Sequence, residues 1–520
     1  MRKQVLETIG WKHTKILFCH PEFIEDKQNY TNYILYSITA FVKLRLTAMN
    51  TKINSIVNHK LTIPILLGLS FMCMLVCIII NQDCAGGEDN MSLYTRSRFG
   101  LFHPIAYFRE PIKILFAMVM AIPSQLGFKA MQITNAVLAC LSTWMVVKII
   151  YKMELKNAWL AVLITLFSPI YFLISLTVLS EIMFSFFLIL CILLLYNKKY
   201  IWTAIILSFL PFIRSEGFVL ILVFIVYFIT EKQWKVLPLL LLGTIVFSIS
   251  GYSYHDDIMW VLHKNYGDAS SLYGHGELVD FVKGSKGYNG PILTIILPLA
   301  LVVALLKLKY LFNRQRIFII VIMGCYFGFL LLHSYLWWKG QGASLGLTRV
   351  MASVIPLAGI IAVWFFNQFE KYMRNLQAYL YIFIAAGSIY FCFTINHFPI
   401  LLDQEHTVVS KLYELSKPYL DKAPQIKFNS TYFAFLADLD PYDYEKSGDC
   451  FTVKKNVLDS MKPGSIIQYE THFGPNECST DTDFYDKHRP DFEKVLEVYP
   501  DVPFKVLNGY DYKNVLYRKK

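Results

Sequence analysis

The sequence predicts an α-helical polytopic membrane protein with a small α/β domain following the helices. Three observations carry this. Of 520 residues, 55% are hydrophobic and only 17% charged, far from the balance of a soluble chain. Apolar runs approaching the roughly 20 residues that cross about 30 Å of hydrocarbon recur between residues 61 and 395. After residue 396 the composition turns ordinary and polar. The composition excludes a disordered scaffold, and the absence of heptads, Gly-X-Y triplets or a 20–50-residue period excludes coiled coil, collagen and solenoid.

The elements follow in order. Residues 1–60 are polar and basic, a cytoplasmic N-terminal segment without a cleavable signal peptide, and Met49 could begin a shorter chain. Spans are expected at 61–80, 135–150, 158–176 and 182–196. The run 200–230 is too long for one helix and reads as a hairpin turned at Arg214-Ser215-Glu216-Gly217. Its arms of about 14 residues reach only roughly 21 Å, so the turn is recessed below the outer surface. Further runs lie at 236–250, 292–306, 317–332, 350–366 and 378–395. Residues 112–128, broken by Pro123 and Gly127, read as an interfacial or re-entrant helix. With the N-terminus inside, the basic loops 148–156, 198–199, 232–235, 307–316 and 371–374 share the cytoplasmic side, giving about eleven spans and an outer C-terminus. The tail alternates helix-like stretches (408–420, 492–498) with strand-like ones (465–469, 505–507, 514–517), an α/β pattern. The expected domains are therefore 1–60, 61–396 and 397–520.

The net charge of +11, 49 basic against 38 acidic residues, is a topology signal. No basic and aromatic surface suits a nucleic acid. The ten cysteines offer no C-x-x-C pair. Cys73, Cys77, Cys140, Cys191, Cys325 and Cys392 are packing residues of apolar stretches, while Cys450 and Cys478 share an oxidising compartment and could form a disulfide.

The unusual charge lies at the outer helix ends. Gly86-Gly87-Glu88-Asp89-Asn90 places two carboxylates just after the first span, where one could serve as a base at the membrane surface; a solvated acidic loop is the alternative. Arg96, Arg98, His103 and Arg109 follow, suited to a phosphate or to a headgroup-facing helix. Glu181 opens the fourth span behind Ser180, and Arg214 and Glu216 flank the recessed turn, as a site or as a pair pinning two helix ends. Trp337 and Trp338 read as interfacial belt residues. Beyond them Lys339 precedes a Gly-rich segment that ends at Arg349, a phosphate cradle at a helix N-terminus or a flexible loop.

Together the acidic pair, Leu179-Ser180-Glu181, Pro211-Phe212-Ile213-Arg214-Ser215-Glu216-Gly217 and Gly346-Leu347-Thr348-Arg349 with Pro356 beyond resemble the bacterial branch of the GT-C membrane glycosyltransferases, relatives of the protein and lipid mannosyltransferases. Ser215 stands where that family commonly has proline. The resemblance spans roughly residues 61–396, and the tail resembles a soluble module of some members. It implies an inverting hexosyltransferase using a polyprenyl-phosphate sugar and a glycan, lipid or protein hydroxyl as acceptor. Asp89 would be the catalytic base, with Glu88 as the alternative carboxylate. Arg349, with Arg214 or Lys339, would bind the donor phosphate, and Glu181, Glu216 and His103 would orient the arginines or the substrate. No cofactor is dictated, although Glu88 and Asp89 could weakly bind a divalent cation, Mg or Mn. A Lys-, Ile- and Asn-rich composition points to a bacterial inner membrane with a periplasmic site. The rival class is a transporter or lipid flippase, expected to show broken helices, related halves and charges near the bilayer midplane.

Overall fold

The long apolar runs are helical, some of them broken, in the computed structural model, which describes residues 59–82, 87–264, 274–342, 344–373, 377–449, 455–478 and 480–520. The basic segment expected at 1–60 lies outside the described residues as far as residue 58. The principal helices before the tail are α1 (Thr62–Ile80), α2 (Glu88–Phe99), α3 (Ile114–Gln125), α4 (Phe128–Lys152), α5 (Ala158–Leu166), α6 (Pro169–Ser175), α7 (Glu181–Tyr196), α8 (Tyr200–Phe209), α9 (Gly217–Thr230), α10 (Leu242–His255), α11 (Ser285–Leu306), α12 (Met323–Lys339), α13 (Ile355–Gln368) and α14 (Gln377–Asn396). Among the described residues six helical units are long and apolar enough to cross a membrane: α1, α4, α11, α14, Trp234–His255 and Ile317–Lys339. Five apolar helical units of 10–17 residues, including α7 and α13, complete the bundle.

Two helices show how burial sorts this bundle. α1 has no charge in 19 residues and leaves Leu69, Met72, Val76 and Ile79 exposed, an apolar face that only lipid would cover. α13 is apolar all round and buried from Ile355 to Trp364, packed by α4, α5, α7 and α11. The single span expected at 158–176 is instead α5 and α6, bent by 68°. Pro169 drives Ser168 into extended backbone, and the hydroxyl of Ser168 donates to the Tyr288 carbonyl at 2.9 Å. The 200–230 hairpin forms as expected, with Pro211 in a tight turn ahead of Arg214.

The tail packs α15 (Gln404–Leu420) against a five-stranded sheet. Its strands are β1 (Ile426–Phe428), β2 (Ser447–Asp449), β3 (Ile466–Glu470), β4 (Phe492–Val498) and β5 (Asn514–Lys519), in the order β2-β1-β3-β5-β4. β1 runs parallel to β2 and β3, and β5 runs antiparallel to β3 and β4. Residues 492–498, expected as helix, form β4 because pairing with β5 overrides local preference. The strand expected at 505–507 reduces to a Lys505–Asp511 bridge followed by a short helical turn. Cys478 is disulfide-bonded, and its expected partner Cys450 lies outside the described residues.

Candidate active site

α2 opens at Gly87, whose φ of 72° with ψ of −165° suits glycine alone. Its first turn carries Glu88, Asp89 and Asn90, with both carboxylates where the helix dipole favours them. Consecutive helical positions point about 100° apart, so the three side chains meet three different partners. Glu88 accepts from the Ser430 hydroxyl at 2.7 Å, the Thr431 hydroxyl and the Tyr432 N–H at 2.9 Å, capping the tail helix α16 (Thr431–Leu436). Asp89 turns the other way and pairs with Arg349. The Oδ1 of Asn90 accepts from the Val178 N–H at 2.9 Å, just before Glu181.

From Asp89 an alternating row of charges runs across the outer helix ends. Arg349 Nε stands 3.8 Å from Glu181 Oε1. Arg214 bridges Glu181 and Glu216 at 2.8 Å each and donates to the Ser180 hydroxyl at 3.3 Å. His333 Nε2 lies 3.4 Å from Glu216 Oε1. Glu181 is 1% and Glu216 9% exposed, and charges this buried persist only when paired. A cavity of about 350 Å³ opens over the row, lined among others by Lys113, Arg214, Glu216, His333 and Arg349. Burial works to raise the carboxyl of Asp89, but Lys113, Arg349 and Arg214 outweigh it and hold that group below its ordinary value.

Arg349 does not sit at an α-helix N-terminus as expected. A 3-10 turn, Thr348–Ser353, comes first, and α13 begins only at Ile355. The loop before it has a definite form. Gly346 has a φ of 65°, and a Cβ there would strike the ring of Trp337. Trp337 itself is tied inward, donating to Asp280 at 3.0 Å, so only the half-exposed Trp338 fits an interfacial belt.

Five sequence candidates thus converge: Asp89, Glu181, Arg214, Glu216 and Arg349. Three do not. Glu88 faces the tail, where it accepts from Ser430, Thr431 and Tyr432. Lys339 stacks on Trp338 at 3.8 Å and does not line the cavity. His103 faces Asp440 of the tail at 3.0 Å. The neighbouring basic residues are also diverted. Arg96 donates to the carbonyls of Ala106, Tyr107, Glu110 and Ile112, organising its loop, while Arg98 and Arg109 pair with Asp438 and Asp449 of the tail. Glu88 and Asp89, named together for a divalent cation, face different partners. Among the described residues no three His, Cys, Asp or Glu side chains are grouped to hold a metal.

Three ionisable lining residues, Glu110, Lys113 and His333, were not among the candidates. His333, an ionisable residue inside an apolar helix, carried a readable signal. Lys113 carried none beyond its charge; it enters the cavity because the chain turns left-handed there, at φ 63°, to start α3.

No protein-family model and no curated protein sequence matches the chain. Among solved structures it is similar to ArnT from Cupriavidus metallidurans bound to undecaprenyl phosphate, with a TM-score of 0.54, 11% identity, and 87% of this chain and 97% of that chain covered. The apo form of the same protein gives a TM-score of 0.55 over the same shares. The chain has the fold of ArnT, with multiple membrane helices and a small C-terminal sheet domain.

Proposed function

We propose that this protein is an inverting glycosyltransferase that moves a sugar from a polyprenyl-phosphate donor to a hydroxyl acceptor at the outer face of a bacterial inner membrane. The observation that carries the reading is the cavity where Lys113, Arg214 and Arg349 converge beside Asp89. Three cations at one mouth, with Glu110 and Glu216 beside them, suit a phosphate group, and the Asp89 carboxylate held by Arg349 suits an acceptor proton. The outer placement rests on the basic loops, which lie at the opposite helix ends from the ion row. That ArnT, a protein of this fold, was crystallised with undecaprenyl phosphate supports the donor class.

The resting pairing suggests the order of events. Arg349 neutralises Asp89 before substrate arrives and keeps it a weak base. A donor phosphate competes for the guanidinium, and as Arg349 turns to it the Asp89 carboxyl loses a cation and becomes more basic. The acceptor hydroxyl then attacks the anomeric carbon. Its proton passes to Asp89, the bond from C1 to the phosphate oxygen breaks, and the cations stabilise charge gathering on the departing lipid phosphate. Glu181 and Glu216 hold Arg214 rather than touch the sugar.

The test is transfer of labelled sugar from a panel of polyprenyl-phosphate sugars by purified protein in lipid. Asp89→Asn is expected to lose about 100-fold or more, and Arg349→Ala a comparable factor, with folding unchanged. Lys339→Ala is expected to retain activity. Turnover indifferent to both cavity variants would defeat the assignment. The transporter or flippase reading is supported by the broken α5–α6 pair and the break of α11 at Gly290, and flux of lipid-linked sugar without transfer would restore it.

A further inference from the structure

The turn that delivers Glu181 is buried throughout, from Leu176 to Ser180. Three side-chain amides from other elements hold it. Gln132 Nε2 donates to the Leu176 carbonyl at 2.7 Å. Asn135 Nδ2 donates to the carbonyls of Thr177 at 2.8 Å and Leu179 at 2.9 Å. Asn90 accepts from the Val178 N–H at 2.9 Å. Gln132 and Asn135 stand three residues apart on α4 and therefore share a face, while Asn90 is chain neighbour to Asp89.

Packing alone does not account for these side chains. The Oε1 of Gln132 and the Oδ1 of Asn135 are buried without hydrogen-bond partners among the described residues, a cost that an apolar side chain would avoid. Glu181 likewise leaves its Oε2 without a hydrogen bond, and its Oε1 is shared between Arg214 and Arg349. A carboxylate held through one oxygen takes its position from the backbone that carries it. Carbonyl groups can be held only by donors, and an amide donates without adding a further charge beside the row.

We infer that Gln132, Asn135 and Asn90 form a clamp of positioning residues that sets Glu181, and through it Arg214 and Arg349, at the spacing that receives the donor phosphate. This rests on the reading of the cavity proposed above. The clamp also joins the two halves of the site: the helix turn that presents Asp89 fixes, one residue later, the turn that presents Glu181.

Asn135→Asp in the full chain tests it, since the variant keeps the shape but sets a carboxylate oxygen against two carbonyls. Asn396→Asp is the control. Asn396 donates to the Pro169 carbonyl at 2.9 Å, the same kind of bond at the far end of α6, outside the site. Binding of undecaprenyl phosphate, kcat/KM for transfer, thermal midpoint and hydrogen exchange of residues 176–182 are measured for both in lipid nanodiscs. Asn135→Asp should lower lipid-phosphate affinity and kcat/KM by about 10- to 100-fold and speed exchange of 176–182. Asn396→Asp should lower the midpoint alone. Losses proportional to midpoint in both variants, or an unchanged Asn135→Asp, would overturn the clamp. If Asn135→Asp fails to fold, Gln132→Met, which removes one donor, carries the same comparison. Wild type that binds no polyprenyl phosphate would sink the functional reading alone, and the exchange measurement would then decide the clamp by itself.

Discussion

Two sets of charges lie at the outer helix ends, with different fates. In the cavity row, Asp89, Arg349, Glu181, Arg214 and Glu216 share partners, and each inner member has a neighbour on either side. Along the seam with the tail, Arg98, His103 and Arg109 meet Asp438, Asp440 and Asp449, about a third of each basic side chain open to solvent. The row resembles a site because no member can move without rearranging the next. The seam resembles a dock, whose contacts can be lost singly. Adjacent residues, Glu88 and Asp89, belong to different sets, so proximity in sequence says little about role here.

Breaking the row at its centre should have the largest effect. Arg214→Ala leaves Glu181 and Glu216 buried without their common cation, a loss of about 3–5 kcal/mol. The thermal midpoint in detergent should fall further than for any seam variant. A fall no larger than that of Arg98→Ala would mean that the row is not coupled.

Glu88→Ala is the strongest cut available at the seam, since three donors of the α16 cap lose their acceptor together. A loss of about 1–3 kcal/mol is expected, read as earlier proteolytic release of the tail. Transfer should fall less than with Asp89→Asn. Equal losses of activity would merge dock and site.

The two sets also respond oppositely to pH. Burial pushes Glu470, beneath the seam, up to about 8, with Glu88 and Glu405 adding to the shift and Tyr512 and His472 opposing it. His406 and His472 are held above their ordinary values: burial opposes charge, but Asp403 with Glu88, and Glu405 with Glu470 and Glu477, outweigh it. Groups raised on folding contribute stability below their unfolded values that is lost as pH rises. The seam should therefore weaken between about pH 4.5 and 8, the window of Glu470. Asp89 is lowered, so its contribution is present above 3.8 and lost in acid below that value. Proteolysis of the tail and lipid-phosphate affinity, followed from pH 5 to 8.5, should separate: the tail loosens upward while affinity holds. A tail most labile at pH 5 would reverse the assignment.

How much of this was legible in the chain follows from the same physics. The helical spans could be read because lipid imposes one rule on every residue, and the row's members stood out as charges at the ends of apolar helices. Glu88 could not be separated from Asp89, because the difference is a 100° rotation decided by residues 430–432, over 340 positions away. The same distance hid the role of Arg98 and Arg109. Residues 492–498 read as helix since the strand that pairs them, β5, comes later and supplies the deciding hydrogen bonds. The break at Pro169 was visible as a proline, but its 68° depends on what Ser168 and Asn396 hold in place.

The smallest effect belongs to His103, which sequence motifs placed near the substrate. Its ring nitrogen meets Asp440 at 3.0 Å with 37% of the side chain exposed, so water competes for both partners and salt screens them. Such a pair contributes at most about 1 kcal/mol. It is also one of several ties along the seam, where Glu88, Arg98 and Arg109 remain when it is gone. His103→Ala should therefore leave kcat and KM for the donor within about two-fold and shift the thermal midpoint by a degree or two. A rise in KM with an unchanged midpoint would return His103 to the substrate and redraw the seam as part of the site. A drop in midpoint without change in KM would instead mark the seam as tightly cooperative, with each tie depending on the others as the members of the cavity row do.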